Sequence, residues 1–322
     1  MKNLNTLFWA LGMILLAGCH SASRDSLPAE LSLADHELVG KIWQVKSKQF
    51  VDKQQLLNDA LDKEYILLGE THDNPVHHNY QAWVIDQLHA RGRKLSVAFE
   101  MLNPEQGEAL AGQQFQNADQ IFDAVKWDET GWPSRKIYKP VFTAALNAGF
   151  NIYPANIDRK ALNQVIRQGE DNLPENIKAQ LKENPLSEKA EDLLRSGIVE
   201  SHCQMLPEQM VPAMMLGQRV RDAVIANSVM NNKAEDGIVL IAGSGHTLKS
   251  GVYGFIRSKD PTAKIFTMAW MEVDKRFSHP EDYRDYWGTE ELPFDYVWFT
   301  PRMDRPDPCE ELKKHHKFSK PE

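Results

Sequence analysis

The chain has 322 residues, with 42% hydrophobic, 25% charged and 9% aromatic side chains, the balance of a globular protein that buries a real core. With 18 Gly and 17 Pro, collagen-like and low-complexity architectures are excluded. A formal charge of -8 argues against nonspecific nucleic-acid binding, which needs a basic surface.

Residues 1–18 read as a secretory signal. Lys2 supplies a short positive region, Thr6 to Leu16 an apolar stretch too short to span a bilayer, and Leu16-Ala17-Gly18-Cys19 a small-residue cleavage site. That ending resembles the bacterial lipobox, in which cleavage precedes a Cys that becomes acylated. Several acyl chains give a stable anchor where one does not. His20, and not an Asp, follows Cys19, which by resemblance to enteric lipoproteins favours the outer membrane. Residues 19–40 then read as a lipidated tether, 41–300 as a single α/β domain, and 301–322 as a polar C-terminal tail. Cys203 and Cys309 are the other two thiols, and an oxidising compartment permits their pairing without requiring it.

Within 41–300 apolar runs alternate with helical periodicity. Tyr65–Leu68 suits a buried strand. Val76, Tyr80, Trp83, Val84 and Leu88 follow at helical spacing, with Gly92 as a C-cap. Ser96–Phe99 is the next strand, and Asn103-Pro104 is an N-cap followed by Pro in the first turn. A helix over 140–148 ends at Gly149, a strand covers Asn151–Ala155, and Asp158 caps another helix. A Met-rich helix is predicted over 207–232 and strands at Ile238–Ala242, Lys264–Trp270 and Tyr296–Phe299. The strand-free stretches 104–137 and 170–206 read as helical insertions, a lid or a dimer surface. The alternation predicts a mostly parallel sheet with helices on both faces.

Polar residues follow four of the apolar runs. Gly69-Glu70-Thr71-His72 follows the first, Glu100 the second, Asn156 and Asp158 the third, and Gly243-Ser244-Gly245-His246 the fourth. If the strands are parallel neighbours, these groups meet at the carboxyl edge of the sheet, where open α/β folds bind ligands. His72, Glu100 and His246 would then suit a divalent metal that activates water. Glu70 either orients an imidazole from behind or caps a helix; both readings stand. On the Met-rich helix, Gln218 and Asp222 fall on the same face as Val211, Met214, Met215, Ile225 and Val229. Buried polar groups need partners, and either the rim or Arg219 and Arg221 can supply them.

The ordered set Gly69-Glu70-Thr71-His72-Asp73-Asn74, Phe99-Glu100-Met101, Trp127-Asp128-Glu129-Thr130-Gly131-Trp132-Pro133, Tyr138-x-Pro140, His202, Gln218-x-x-x-Asp222 and Gly243-Ser244-Gly245-His246 resembles the ChaN-like family of haem-binding, iron-regulated bacterial lipoproteins. The wider group includes Tiki-type metalloproteases and erythromycin esterases. The resemblance implies haem bound at a homodimer interface, iron ligated by a tyrosine, and His and Lys on the propionates. Transferred by motif, the tyrosine is Tyr138, with Tyr153 second, and the propionate contacts are His202 and Lys139. Trp127 and Trp132 would line the pocket or pack the insertion. An outer-membrane haem receptor is the partner it suggests. The function expected is therefore a lipid-anchored haem-binding protein of iron uptake or storage. The alternative is a metal-dependent, esterase- or peptidase-like hydrolase built on His72, Glu100 and His246. His315 and His316 in the tail read as solvated surface.

Overall fold

The computed structural model describes residues 31–307 and 309–310. The signal peptide, Cys19, His315 and His316 lie outside the described residues. Among the described residues there are ten strands: β1 Leu31–Ser32, β2 Ile42–Gln44, β3 Gln49–Val51, β4 Tyr65–Glu70, β5 Leu95–Phe99, β6 Asn151–Pro154, β7 Gly237–Gly243, β8 Ile265–Glu272, β9 Tyr296–Thr300 and β10 Arg302–Met303. Eight form one sheet in the order β3-β2-β9-β8-β4-β7-β5-β6. The run from β9 to β6 is parallel throughout, while β2 and β3 add antiparallel at one edge.

The central strands read as unbroken apolar runs because both faces are covered, and every residue of β4 and β7 is buried. Strand period sorts their side chains. Ile66, Leu68, Val239 and Ile241 pack under helices Pro75–Ala90 and Arg135–Asn147. Leu67, Leu240 and Ala242 pack against helices Val211–Asn231 and Val252–Lys259. Each Leu or Ile fully buried in these layers contributes about 1.5–3 kcal/mol over an exposed one.

Local chemistry sets the ends of the helices that deliver the site. Asn74 caps Pro75–Ala90 by accepting from the Val76 N–H, and Gly92 takes φ +79° just beyond its end. Asn103 and Gln106 form a reciprocal capping box at Pro104–Leu110. Asp158 accepts from two backbone N–H groups of Arg159–Gln168.

Two boundaries move, and two readings left open are decided. The stretch 104–137 carries no strand, yet Leu110, Phe122 and Trp127 are in the main core, so it is part of the body and not a separate lid. Residues 31–40 are not tether: β1 pairs with β10, and Leu38 is buried against Phe299 and Tyr283. The tail does not start at 301, because Arg305 donates two hydrogen bonds to Asp73 and two to Glu272, which fastens this segment to the body. Cys203 and Cys309 are joined in a disulfide that ties the same segment to the 170–206 region. That region is two helices, Glu175–Glu183 and Glu188–Ser201, which bury little more than Ile177 and Ile198. The hairpin β2–β3 was not anticipated, since strands of three residues carry too few side chains for a period to register.

Candidate functional site

The neighbours β4, β7 and β5 all end at the same edge, so the residues that follow them converge. Glu70 is the last residue of β4 and is 3% exposed. One of its oxygens accepts from the Tyr138 hydroxyl at 2.7 Å and lies 2.8 Å from His72 Nδ1. The other accepts from the Gln81 amide at 2.6 Å and lies 3.1 Å from His78 Nδ1. Of the two readings of Glu70, the geometry selects orientation of the His72 ring; it caps no helix.

Glu100 directly follows β5. Its Oε2 accepts from the Gly243 N–H at 2.7 Å and stands 3.7 Å from His72 Nε2. Its Oε1 is 3.3 Å from His246 Nε2 and 4.0 Å from Arg221 Nη1. On the far side of that ring, Asp222 Oδ1 is 2.6 Å from His246 Nδ1, and the Gln218 amide lies 3.1 Å from the same nitrogen. The polar pair on the Met-rich helix thus finds its partner on the rim. The result is a continuous chain of alternating carboxylates and imidazoles: Asp222, His246, Glu100, His72, Glu70, His78.

Two glycines make this approach possible. A Cβ on Gly243 would lie 2.8 Å from His72 Nε2, and one on Gly69 would lie 2.4 Å from Thr247 Oγ1. The spacing of the two Gly-x-x-His motifs is therefore a packing requirement at the first Gly of each.

The protonation pattern follows from the alternation. Burial pushes the Glu100 carboxyl up, but the charge and hydrogen bond of His246, joined by His72, outweigh it and bring it to about 2. Burial lowers His246, yet the two flanking carboxylates raise it to about 9. His72 moves up for the same reason, against burial, through Glu70 and Glu100. Glu70 is held well below its ordinary range by His78 and His72, again against burial. The carboxylates thus push the imidazoles between them towards the protonated form, while burial raises the Asp222 carboxyl at the end of the chain against the pull of His246.

Among the described residues no group of three or more His, Cys, Asp or Glu is disposed to hold a metal ion. The donors are turned onto one another: both ring nitrogens of His246 face carboxylates. The expected divalent metal at His72, Glu100 and His246 is not supported by this arrangement.

The tyrosine expectation also needs correction. Tyr138 is fully buried, its hydroxyl is committed to Glu70, and burial together with the Glu70 charge pushes its ionisation far above 10. A phenolate ligand needs an open oxygen and an easily lost proton, and Tyr138 has neither. Tyr153, the second candidate, is half-buried on the edge strand β6 and lines a groove of about 790 Å³. Lys139 pairs with Asp119 at 2.6 Å on the surface, and His202 closes the Glu188–Ser201 helix, with Nδ1 2.7 Å from the Ile198 carbonyl. Neither contacts the carboxylate–imidazole chain.

The side chain of His72 is 31% exposed, and its ring lies 4.8 Å from that of Trp132. Trp132 in turn lines a cleft of about 640 Å³ with Met101, Ile157 and Leu162. Lys126, Arg159 and Arg221 line the same cleft. Trp127 packs in the core, its indole N–H donating to the Pro133 carbonyl. Sequence reasoning missed His78 and Gln81. Both sit on the buried face of an otherwise apolar helix, the same signal that singled out Gln218 and Asp222.

The family described as haem-binding uptake, Tiki superfamily, ChaN matches residues 56–255, a span that holds every residue of this rim. The chain belongs to the ChaN family. A solved structure of cofacial haem binding to ChaN of Campylobacter jejuni is 20% identical, covers 80% of this chain and 95% of its own, and superposes with a TM-score of 0.62. This ChaN-family chain shares that fold. An erythromycin esterase mutant in its open conformation, 11% identical, covers 82% of this chain and 98% of its own at a TM-score of 0.45, too low to argue from. No curated protein matches this chain.

Proposed function

We propose that this protein is a lipid-anchored haem-binding protein of the outer membrane that holds or relays haem in iron uptake or storage, working as a homodimer and exchanging haem with an outer-membrane receptor. The observation that carries the haem reading is the ChaN-family match across the whole rim. Among the clefts described, the one beside Trp132 fits the group best: Met101, Trp132, Ile157 and Leu162 suit the porphyrin face, and Lys126, Arg159 and Arg221 suit propionates. His72, partly exposed against Trp132 at the edge of this cleft, would hold the iron only as the neutral ring, giving up the proton that Glu70 and Glu100 favour, while Glu70 behind it fixes the ring. Ferric or ferrous iron bound there would supply the redox and ligand chemistry of haem. The anchor reading rests on Leu16-Ala17-Gly18-Cys19.

The test is a hemin titration of the chain from residue 20 onward, followed in the Soret region. Saturable binding that weakens in His72→Ala and Arg159→Ala supports the reading. Binding lost in Tyr153→Phe but intact in His72→Ala would move haem to the β6 groove. No binding above that of an unrelated acidic protein would end the haem reading. Cys19→Ser should release the protein from the detergent phase, and unchanged partitioning would refute the anchor.

A second reading has its own observation. Buried carboxylates and imidazoles with displaced protonation recur at acid–base sites. A hydrolase using His72, Glu100 and His246, with water as nucleophile, predicts turnover of simple esters or peptides that His246→Asn abolishes. Failure of a broad substrate panel, with and without added divalent ions, removes it.

A further inference from the structure

Helix Glu188–Ser201 borders a partly open cavity of about 290 Å³ that Gly245, next to His246, also lines. Leu193, Leu194 and Ile198 wall it on the helix side, and Leu248 and Trp287 wall it opposite. Gln218, Arg219 and Asp222 supply its polar groups.

Two buried donors point to an occupant. Arg219 is only 9% exposed, yet its Nη1 has no partner; Nη2 donates to the Leu181 and Asn184 carbonyls, and the guanidinium lies over Phe255. The indole N–H of Trp287 is likewise buried without a partner. Buried donors are nearly always satisfied in folded proteins, because leaving one unpaired is costly, and these two line one cavity. Gly197 and Gly245 line the cavity from different elements, and a Cβ on either would meet nothing within 4 Å. A glycine in mid-helix is disfavoured relative to alanine. Both glycines are solvent-exposed, so they mark the open side of the cavity, where a larger side chain at 197 can be placed without a clash.

The charge inside the cavity is decided by pairing. Asp222 is engaged by His246 at 2.6 Å, which leaves the Arg219 cation as the uncommitted charge. We propose that this cavity binds a small apolar carboxylate, with its hydrocarbon chain between Leu193, Ile198 and Leu248 and its carboxylate on the free N–H groups of Arg219 and Trp287. The volume lies at the small end for ligand pockets, enough for a flexible chain and too little for a rigid porphyrin disc. The site is therefore separate from the cleft beside Trp132. A haem propionate offers the same carboxylate chemistry, so the test must tell the two sources apart.

Calorimetric titration of the disulfide-intact protein with decanoate should show saturable binding of one molecule per chain. Decanol, which lacks the charge, should bind about tenfold more weakly, as should decanoate to Trp287→Phe, where only the donor is lost. Gly197→Leu should abolish decanoate binding without lowering Tm, which keeps the test independent of Arg219→Met, a variant that also frees two backbone carbonyls. Equal binding of decanoate and decanol, or unchanged binding by Gly197→Leu, overturns the proposal. Displacement of decanoate by hemin, with hemin binding also lost in Gly197→Leu, overturns it in favour of a propionate subsite. Hemin binding that persists in Gly197→Leu supports two separate sites.

Discussion

The rim and the helical pair 175–201 are built on opposite principles. Glu70, Glu100, Asp222 and His246 are each at most 5% exposed, and every one has a charged partner. The helical pair is charged and largely exposed. It is held by Ile177 and Ile198, by surface pairs such as Lys189–Glu290 and Arg195–Glu208, and by the Cys203–Cys309 disulfide. Exposed ion pairs contribute only ~0–1 kcal/mol each. Buried ones contribute through mutual dependence, since removing one partner strands the other. Precision at the rim comes from this dependence, whereas the helical pair is kept in place by a covalent link and a small apolar contact.

The largest effect should come from breaking the rim. Glu70→Ala strands His72, His78, Gln81 and Tyr138 together and should cost about 3–5 kcal/mol in urea unfolding. A loss under ~1 kcal/mol would mean the chain is not mutually dependent. Cutting the covalent link comes next. Cys203→Ser opens a closure spanning 106 residues and should cost about 2–4 kcal/mol under non-reducing conditions, with new proteolytic cleavage confined to 170–206. Cleavage spread over the sheet would contradict the division between the two regions.

The pH response should separate them as well. His246 rises from an ordinary 6.5 to about 9 on folding, so its stabilisation is complete below pH 6.5 and is lost as pH climbs through 9. Glu100 falls from 4.5 to about 2, so its share is complete above pH 4.5 and is lost as pH drops through 2. Stability should therefore fall by up to about 3 kcal/mol from pH 6.5 towards pH 9, and fall also below pH 6.5, where burial holds His77 neutral by lowering it to about 3 while the unfolded chain takes up its proton. His246→Asn should flatten the alkaline limb; an unaltered slope would assign it elsewhere. The smallest test compares two glycines. Gly69→Ala meets Thr247 and the Met268 carbonyl at 2.4 and 3.1 Å and should cost about 1–3 kcal/mol. Gly197→Ala meets nothing and should gain about 0.5–1 kcal/mol. Reversed signs would invert the contrast between a packed rim and an open helix face.

Much of the site was legible because strand chemistry is local. The continuous apolar runs of β4, β5 and β7 announced a doubly covered parallel sheet, and the residues just after each run were bound to share an edge if the strands were neighbours. The misplaced polar residues of helix Val211–Asn231 pointed to the rim for the same reason that His78 and Gln81 should have. Boundaries failed where elements are too short to show a period, as at β1, β2, β3 and β10, and where an exposed-looking segment is pinned by one residue, as Arg305 pins the segment after β9.

The residue sequence by itself determined the layered α/β architecture, the convergence of Glu70, His72, Glu100 and His246, and the membership in a haem-binding family, because periodicity, glycine spacing and ordered motifs are written along the chain. Only the tertiary structure decided that Tyr138 is a buried donor to Glu70 and not an open phenol, that His72 is the accessible ring, that Cys203 meets Cys309, and that Arg219 and Trp287 share a cavity. Exposure and pairing depend on what packs against a side chain from distant parts of the sequence, and no local pattern records that.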